Sequence, residues 1–167
     1  MLVGVLTAWL CLKSIPDHWA RPAIGCIILV LLAMQIWRRY GNDSFRRVAH
    51  SRSFGLAAGI AGGFATMLAN AAGPIVQLFL LSRGMPKMEM IGVGARLFLI
   101  VNALKIPLMG NVGLITADTL KLNLLAVPFI LLGVFIGKRY LVKVPQKLFE
   151  QLVIITAGLS AIRLLIP

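Results

Sequence analysis

Residues 54–82 run for 29 positions, FGLAAGIAGGFATMLANAAGPIVQLFLLS, without one charged side chain. Further apolar runs occupy 1–12, 22–37, 90–109, 122–137 and 148–166. A chain patterned this way has too few polar groups to cover a surface facing water. Hydrophobic residues make up 59% of it and charged residues 13%, where soluble domains average roughly 45–50% and about 25%. The reading is an all-α integral membrane protein, a polytopic helix bundle. Helices satisfy their backbone polar groups internally, which lipid demands. About 20 residues at ~1.5 Å each cross a ~30 Å hydrocarbon core. A soluble enzyme and a disordered tail do not fit this composition. The run 1–12 is too short to cross alone.

Charge sets the topology. There are 17 Lys and Arg against five Asp and Glu. The basic residues sit mainly between the apolar runs, so they read as topology determinants and not as a nucleic-acid surface. Loop 38–52 carries Arg38, Arg39, Arg46, Arg47 and Arg52, and loop 138–147 carries Lys138, Arg139, Lys143 and Lys147. Both are expected on the cytoplasmic side, with Lys13, Arg21 and Lys121 outside. An even number of crossings must then separate them. Runs 90–109 and 122–137 supply two, so 54–82 supplies none or two. Two spans need roughly 40 residues, and the run is shorter. The expectation is a re-entrant broken-helix hairpin, breaking at Asn70–Pro74 with its turn near the membrane midplane. The competing reading is one long kinked helix.

Chemistry-bearing motifs are absent. The sequence has no HExxH, GxxxxGK[ST] or GxSxG pattern. Cys11 and Cys26 lie in apolar runs without a CxxC spacing and read as packing residues, while His18 and His50 stand in polar loops. No metal site, cofactor or catalytic residue is expected. The acidic residues Asp17, Asp43, Glu89, Asp118 and Glu150 all lie away from helix centres, so a carboxylate proton relay is not expected.

Shifting the chain by 129 positions lays Gly4 on Gly133, Ala8 on Gly137 and Ile15-Pro16 on Val144-Pro145. Segment 1–37 therefore resembles 130–166. The first copy's turn is placed outside and the second copy's inside, so the copies are inverted, a hallmark of secondary transporters. The domain reading is 1–37 as the last two helices of a truncated first repeat, 38–53 as a basic cytoplasmic linker, and 54–167 as a complete second repeat.

Three stretches are recognisable in order: GGFATMLANAAGPIVQLFLLSRGMPK (62–87), GARLFLIVNALKIPL (94–108) and PFILLGVFIGKRYLVKVPQKLFEQ (128–151). Together they resemble the TauE/SafE family of sulfite exporters over nearly the whole chain. The resemblance implies export of small anions, sulfite and organosulfonates being typical, across a bacterial cytoplasmic (inner) membrane. Two departures stand out. The family's first-repeat glycine-rich hairpin is missing, and Val93 stands where many members carry Thr. The partners implied are the lipid bilayer, a small inorganic or organic sulfur anion, and either a second copy of the chain or a missing N-terminal half.

The residues themselves suggest where an anion would sit. Asn70, Gly73 and Pro74 break the hairpin, and the half-helix that follows would point free N–H groups at an oxyanion. Gln77 adds a side-chain donor one turn later. Lys105 and Arg96 are charges inside an apolar helix, which makes them functional candidates. They lie nine residues apart, about 900°, on opposite faces. Asn102 shares the face of Lys105. Gly55, Gly59 and Gly63, and Gly133 with Gly137, form small-residue rows suited to close helix packing. The functional reading is a secondary exporter of small anions. Its rival is a non-transporting membrane scaffold or remnant subunit that needs a partner chain. An intramembrane enzyme lacks any nucleophile–base pair.

Overall fold

The computed structural model describes residues 1–11, 17–39, 47–48, 50–111, 113 and 115–166. Lys13, the Ile15-Pro16 turn, Asp43, Arg46 and the side chains of Asp17, His18, Arg38 and Arg39 lie outside the described residues. Within them the chain forms α1 (Leu2–Cys11), α2 (Asp17–Arg39), α3 (Arg52–Ala69), α4 (Ala72–Ser82), α5 (Lys87–Asn111), α6 (Ala117–Leu141) and α7 (Gln146–Leu165). Four helices are long and apolar enough to cross a membrane: α2 over Trp19–Ile36, and α5, α6 and α7. The protein is an all-α polytopic membrane protein.

Local signals fix the helix ends. Ser51 caps α3, its hydroxyl accepting from the Phe54 N–H at 3.1 Å. Thr116 and Thr119 form a capping box at the start of α6, where Asp118 also suits the positive helix end. Lys138 and Arg139 face the negative end of the same helix. Prolines are less decisive than the sequence suggested. Pro22 sits inside α2, which begins at Asp17, and α5 continues through Pro107 to Asn111. A proline forfeits one intrahelical bond, a loss that neighbours and local adjustment absorb in membrane helices.

The 54–82 run folds as a broken hairpin, not as one kinked helix. Helices α3 and α4 lie antiparallel: a Cβ on Gly62 would meet Val76 and Ile75, and one on Gly55 would meet Phe79 and Arg83. Arg83 closes the open end, reaching the Ser51 carbonyl at 3.4 Å and lying over the Phe79 ring at 5.1 Å. Helix α1 packs parallel to α3, with Met1 beside Gly59 and Gly63 and Val5 beside Gly63. Helices α2 and α7 lie antiparallel, Gly25 against Ala161 and Leu165, and Gly158 against Leu32. The largest apolar cluster joins these pairs through Ile24, Ile28, Ile75, Leu78 and Ala161.

Helix α6 stands apart, with no buried residue. Most of its large apolar side chains face outward, Phe129 at 76% and Phe135 at 70% exposure. Cys11 and Cys26 are likewise exposed, not packed. Where the surrounding solvent is hydrocarbon, an apolar side chain gains nothing by turning inward.

A tie at the start of α5 holds the end of α6. The Lys87 ammonium donates to the carbonyls of Leu141 and Val142, at 2.9 and 3.1 Å, and to that of Val144. Its backbone N–H donates to Gln146 Oε1 at 2.9 Å, and Gln146 Nε2 donates to Glu150. Carbonyls left over at the end of α6 are thus gathered by one cation at the start of α5. Charge-assisted bonds contribute about 1.5–3 kcal/mol. Partial solvation cuts that down, so Lys87→Met is expected to destabilise by about 1–2 kcal/mol. The check is the thermal midpoint in detergent; an unchanged midpoint would remove the tie's energetic role.

Candidate functional site

The hairpin breaks at Asn70. This residue adopts φ 51° and ψ 30°, the left-handed conformation, and is the one non-glycine with positive φ among the described residues. Asparagine tolerates that region better than most side chains because its short amide bonds locally. Its N–H turns back to the Ala65 and Thr66 carbonyls, and the Ala71 N–H reaches Ala65 at 3.2 Å. Helix α3 therefore ends sharply, and α4 starts two residues later at Ala72.

Lys105 binds this end of α3. Its ammonium donates to the Thr66 carbonyl at 2.8 Å, to Thr66 Oγ1 at 3.3 Å and to Asn70 Oδ1 at 3.1 Å. The side chain is buried, at 9% exposure. A lysine is rarely so enclosed, and here three oxygens replace its water. The negative end of the α3 dipole faces the same ammonium. No carboxylate is among its partners, which are oxygens of Thr66 and Asn70.

The break is not level with the middle of α5. Lys105 stands about 27 Å along this 25-residue helix at ~1.5 Å per residue, so it belongs to its final third. Helix α3 has 18 residues against 11 in α4, so the two arms of the hairpin are unequal.

Immediately beyond Asn70, α4 opens without a side-chain cap. Its first-turn N–H groups come from Ala72, Gly73 and Ile75, since Pro74 has none. A Cβ on Gly73 would meet nothing within 4 Å, so this turn borders open space. Asn70 is itself exposed. The structure thus joins Lys105 to Asn70, and Gly73 and Pro74 open the helix that follows.

The other candidates lie elsewhere. Gln77 is one turn further along α4, its Nε2 against Gly94 and its buried Oε1 without a partner. Asn102 is exposed on α5 and makes no hydrogen bond among the described residues. Arg96 is exposed and folds back on its own helix, Nε donating to the Gly92 carbonyl at 3.1 Å. Thr66 was not singled out in the sequence. The signal for it was its position, one helical turn before Asn70 on the same face. No group of three or more His, Cys, Asp or Glu side chains suited to a metal occurs among the described residues.

A buried cation, a helix start with free N–H groups and adjoining open space are a set of donors without a nucleophile. Such a set can hold an anion and release it. A family model described as sulfite exporter TauE/SafE matches residues 1–164. No curated protein matches the chain, and no solved structure does.

Proposed function

The chain belongs to the sulfite exporter TauE/SafE family, a family of membrane transporters, and from that premise we propose that it exports small sulfur oxyanions, sulfite or organosulfonates, through the hairpin break. The observation that carries this reading is Lys105, a buried ammonium held only by neutral oxygens. A neutral acceptor is the weaker partner for an ammonium; an oxyanion is the stronger one. An anion arriving beside Gly73 competes with Asn70 for the ammonium and gains the N–H groups at the start of α4. When it leaves, the ammonium returns to Asn70 and Thr66.

Asn70 thus acts as a stand-in for substrate. The exchange keeps the cation solvated in both states, which lowers the barrier to releasing the anion. The antiparallel contact of α2 and α7 supports an inverted-repeat arrangement, and with it alternation between two access states. The basic loops 38–52 and 138–147 are placed in the cytoplasm, and the membrane is the bacterial inner membrane. A second copy or a preceding half would cover α6.

The test is sulfite counterflow in proteoliposomes. Vesicles loaded with unlabelled sulfite and containing the protein are expected to accumulate labelled sulfite, and empty vesicles are not. Taurine and other small sulfonates outside should compete, and chloride should not. Absence of counterflow in vesicles with correctly folded protein would favour the scaffold reading.

A further inference from the structure

Helices α1, α3 and α5 run side by side in one direction, and their residues come into step every four positions. Met1, Gly59 and Leu97 line one apolar cavity. One turn on, the Val5 nitrogen lies against Gly63, and Val5 joins Val101 in one buried cluster. The next step of four brings Trp9, Met67 and Lys105 to one level, since residues four apart share a helix face. Met67 belongs to that cluster, and Trp9 packs against it together with Leu108 of α5. Lys105 bonds Thr66, the neighbour of Met67 in the chain.

At that level lies a buried donor with nothing to donate to. The Trp9 indole nitrogen is buried and has no hydrogen-bond partner among the described residues. Such orphans are rare in folded proteins, and an ion that is sometimes bound is one of their causes. Packing does not explain this one. Phenylalanine would offer a similar apolar ring with no N–H to leave unpaired, and an unpaired buried donor carries the full cost of its desolvation. Position does explain it. Viewed down α3, residue 70 lies about 40° round from Thr66 and Met67 about 100°. Asn70 thus falls between the face that Lys105 binds and the face turned to α1. Whatever replaces the Asn70 oxygen on the ammonium stands between ammonium and indole.

We propose that Trp9 is a second binding residue for the exported anion, its indole N–H taking one oxygen while the Lys105 ammonium takes another. The inference rests on the transport reading of the Lys105 site. With Asn70 Oδ1 on the ammonium, the indole stays unpaired. A sulfite or sulfonate group carries three oxygens on one sulfur and can serve both donors at once, which the single amide oxygen of Asn70 does not. The cost of the unpaired N–H then falls on the anion-free state alone, and relieving it adds to the affinity for the anion.

The test pairs sulfite counterflow with tryptophan fluorescence, both on the full chain in proteoliposomes. Trp9→Phe keeps a ring against Met67 and removes the N–H. It is expected to raise the KM for sulfite about tenfold or more without lowering kcat or the thermal midpoint, the loss of one bond to a charged partner. Trp19→Phe with Trp37→Phe leaves Trp9 as the sole emitter, the chain having three tryptophans. Sulfite and methanesulfonate are expected to change its emission saturably, chloride is not, and Lys105→Met should remove the response. The proposal is overturned if Trp9→Phe transports with the parent KM, or if Trp9 emission ignores both anions in protein that performs counterflow. Loss of counterflow in Lys105→Met would still uphold the transport reading in either case. An anion response at Trp9 that depends on Lys105, in protein without counterflow, upholds the binding residue and removes the transport reading. Silence in both readouts removes both. Should Trp9→Phe fail to fold, the emission titration of the native tryptophan decides alone.

Discussion

Lys105→Met is expected to abolish sulfite counterflow while leaving the protein folded. A charged side chain at the centre of a membrane helix costs about 2.5–3.5 kcal/mol on the insertion scale, and less in the final third, where Lys105 stands. The three bonds to Thr66 and Asn70 offset that cost. Methionine removes the cost and the bonds together, with similar length and volume. The Thr66 carbonyl still accepts the Asn70 N–H and Asn70 itself is exposed, so the buried Thr66 hydroxyl alone loses its partner, and a threonine hydroxyl in a helix can turn to a carbonyl one turn back. Replacing a buried charge by an apolar residue is often neutral or stabilising under those conditions. The thermal midpoint is therefore expected to stay level or rise. Transport should fall steeply, since removing one member of a buried charge pair costs about 2–5 kcal/mol, or at least about 30-fold. Lys105→Arg keeps the charge but needs a wider, planar seat beside Thr66 and should restore only part of the rate. If Lys105→Met transported normally, the ammonium would be a structural tie and the site assignment would fail. If the variant unfolded, the tie would be structural for the opposite reason.

Asn70→Ala probes the same contact from the other side, and its meaning differs. Alanine at φ 51° carries a backbone cost of about 1–2 kcal/mol. Loss of stability there would report the turn, whereas Asn70→Gly keeps the turn and removes only the stand-in acceptor. Without that acceptor the ammonium holds an anion more tightly. Asn70→Gly is thus expected to lower KM and slow release together.

The break itself was readable from its residues. Asn70 tolerates the left-handed conformation, Pro74 suits the first turn of a helix, and the parity of basic loops required an even number of crossings. The pairing of Lys105 with Asn70 was not readable, because nothing in the spacing joins residues on different helices. Helical phase separated Lys105 from Arg96, yet Asn102, on the Lys105 face, remains exposed on α5. A face as wide as the one residues 102 and 105 share can border two environments. Thr66 escaped notice for a related reason. It contributes mostly through its carbonyl, a group every residue has. The limits of proline were hidden too: in lipid, tertiary neighbours decide whether Pro22 or Pro107 ends a helix.

The glycine rows give the second large effect. In sequence, Gly59 with Gly63 and Gly133 with Gly137 look alike, each a GxxxG pair on an apolar helix. In the structure they are opposites. A Cβ on Gly63 would run into the Met1 carbonyl and lie 2.9 Å from the Val5 nitrogen, and one on Gly4 would run into the Ile60 carbonyl. These are backbone atoms on rigid helices, so they cannot rotate away as a side chain can. A Cβ on Gly133 or Gly137 would meet nothing within 4 Å. Gly63→Leu is therefore expected to force α1 off α3, at a cost of about 3 kcal/mol, the upper end for overpacking. The consequence is a collapsed thermal midpoint and little monodisperse protein, because Val5 and Ala8 lose Met67 and Val101 with it. Gly63→Ala should show the same direction in smaller measure. Gly133→Ala and Gly137→Ala should instead hold the midpoint or raise it, since alanine gains up to about 1 kcal/mol in helix propensity. A loss of stability or self-association at Gly133 would mean that α6 packs against a second copy of the chain. The row would then serve an interface that a single chain leaves open, and the two rows would differ in partner and not in purpose.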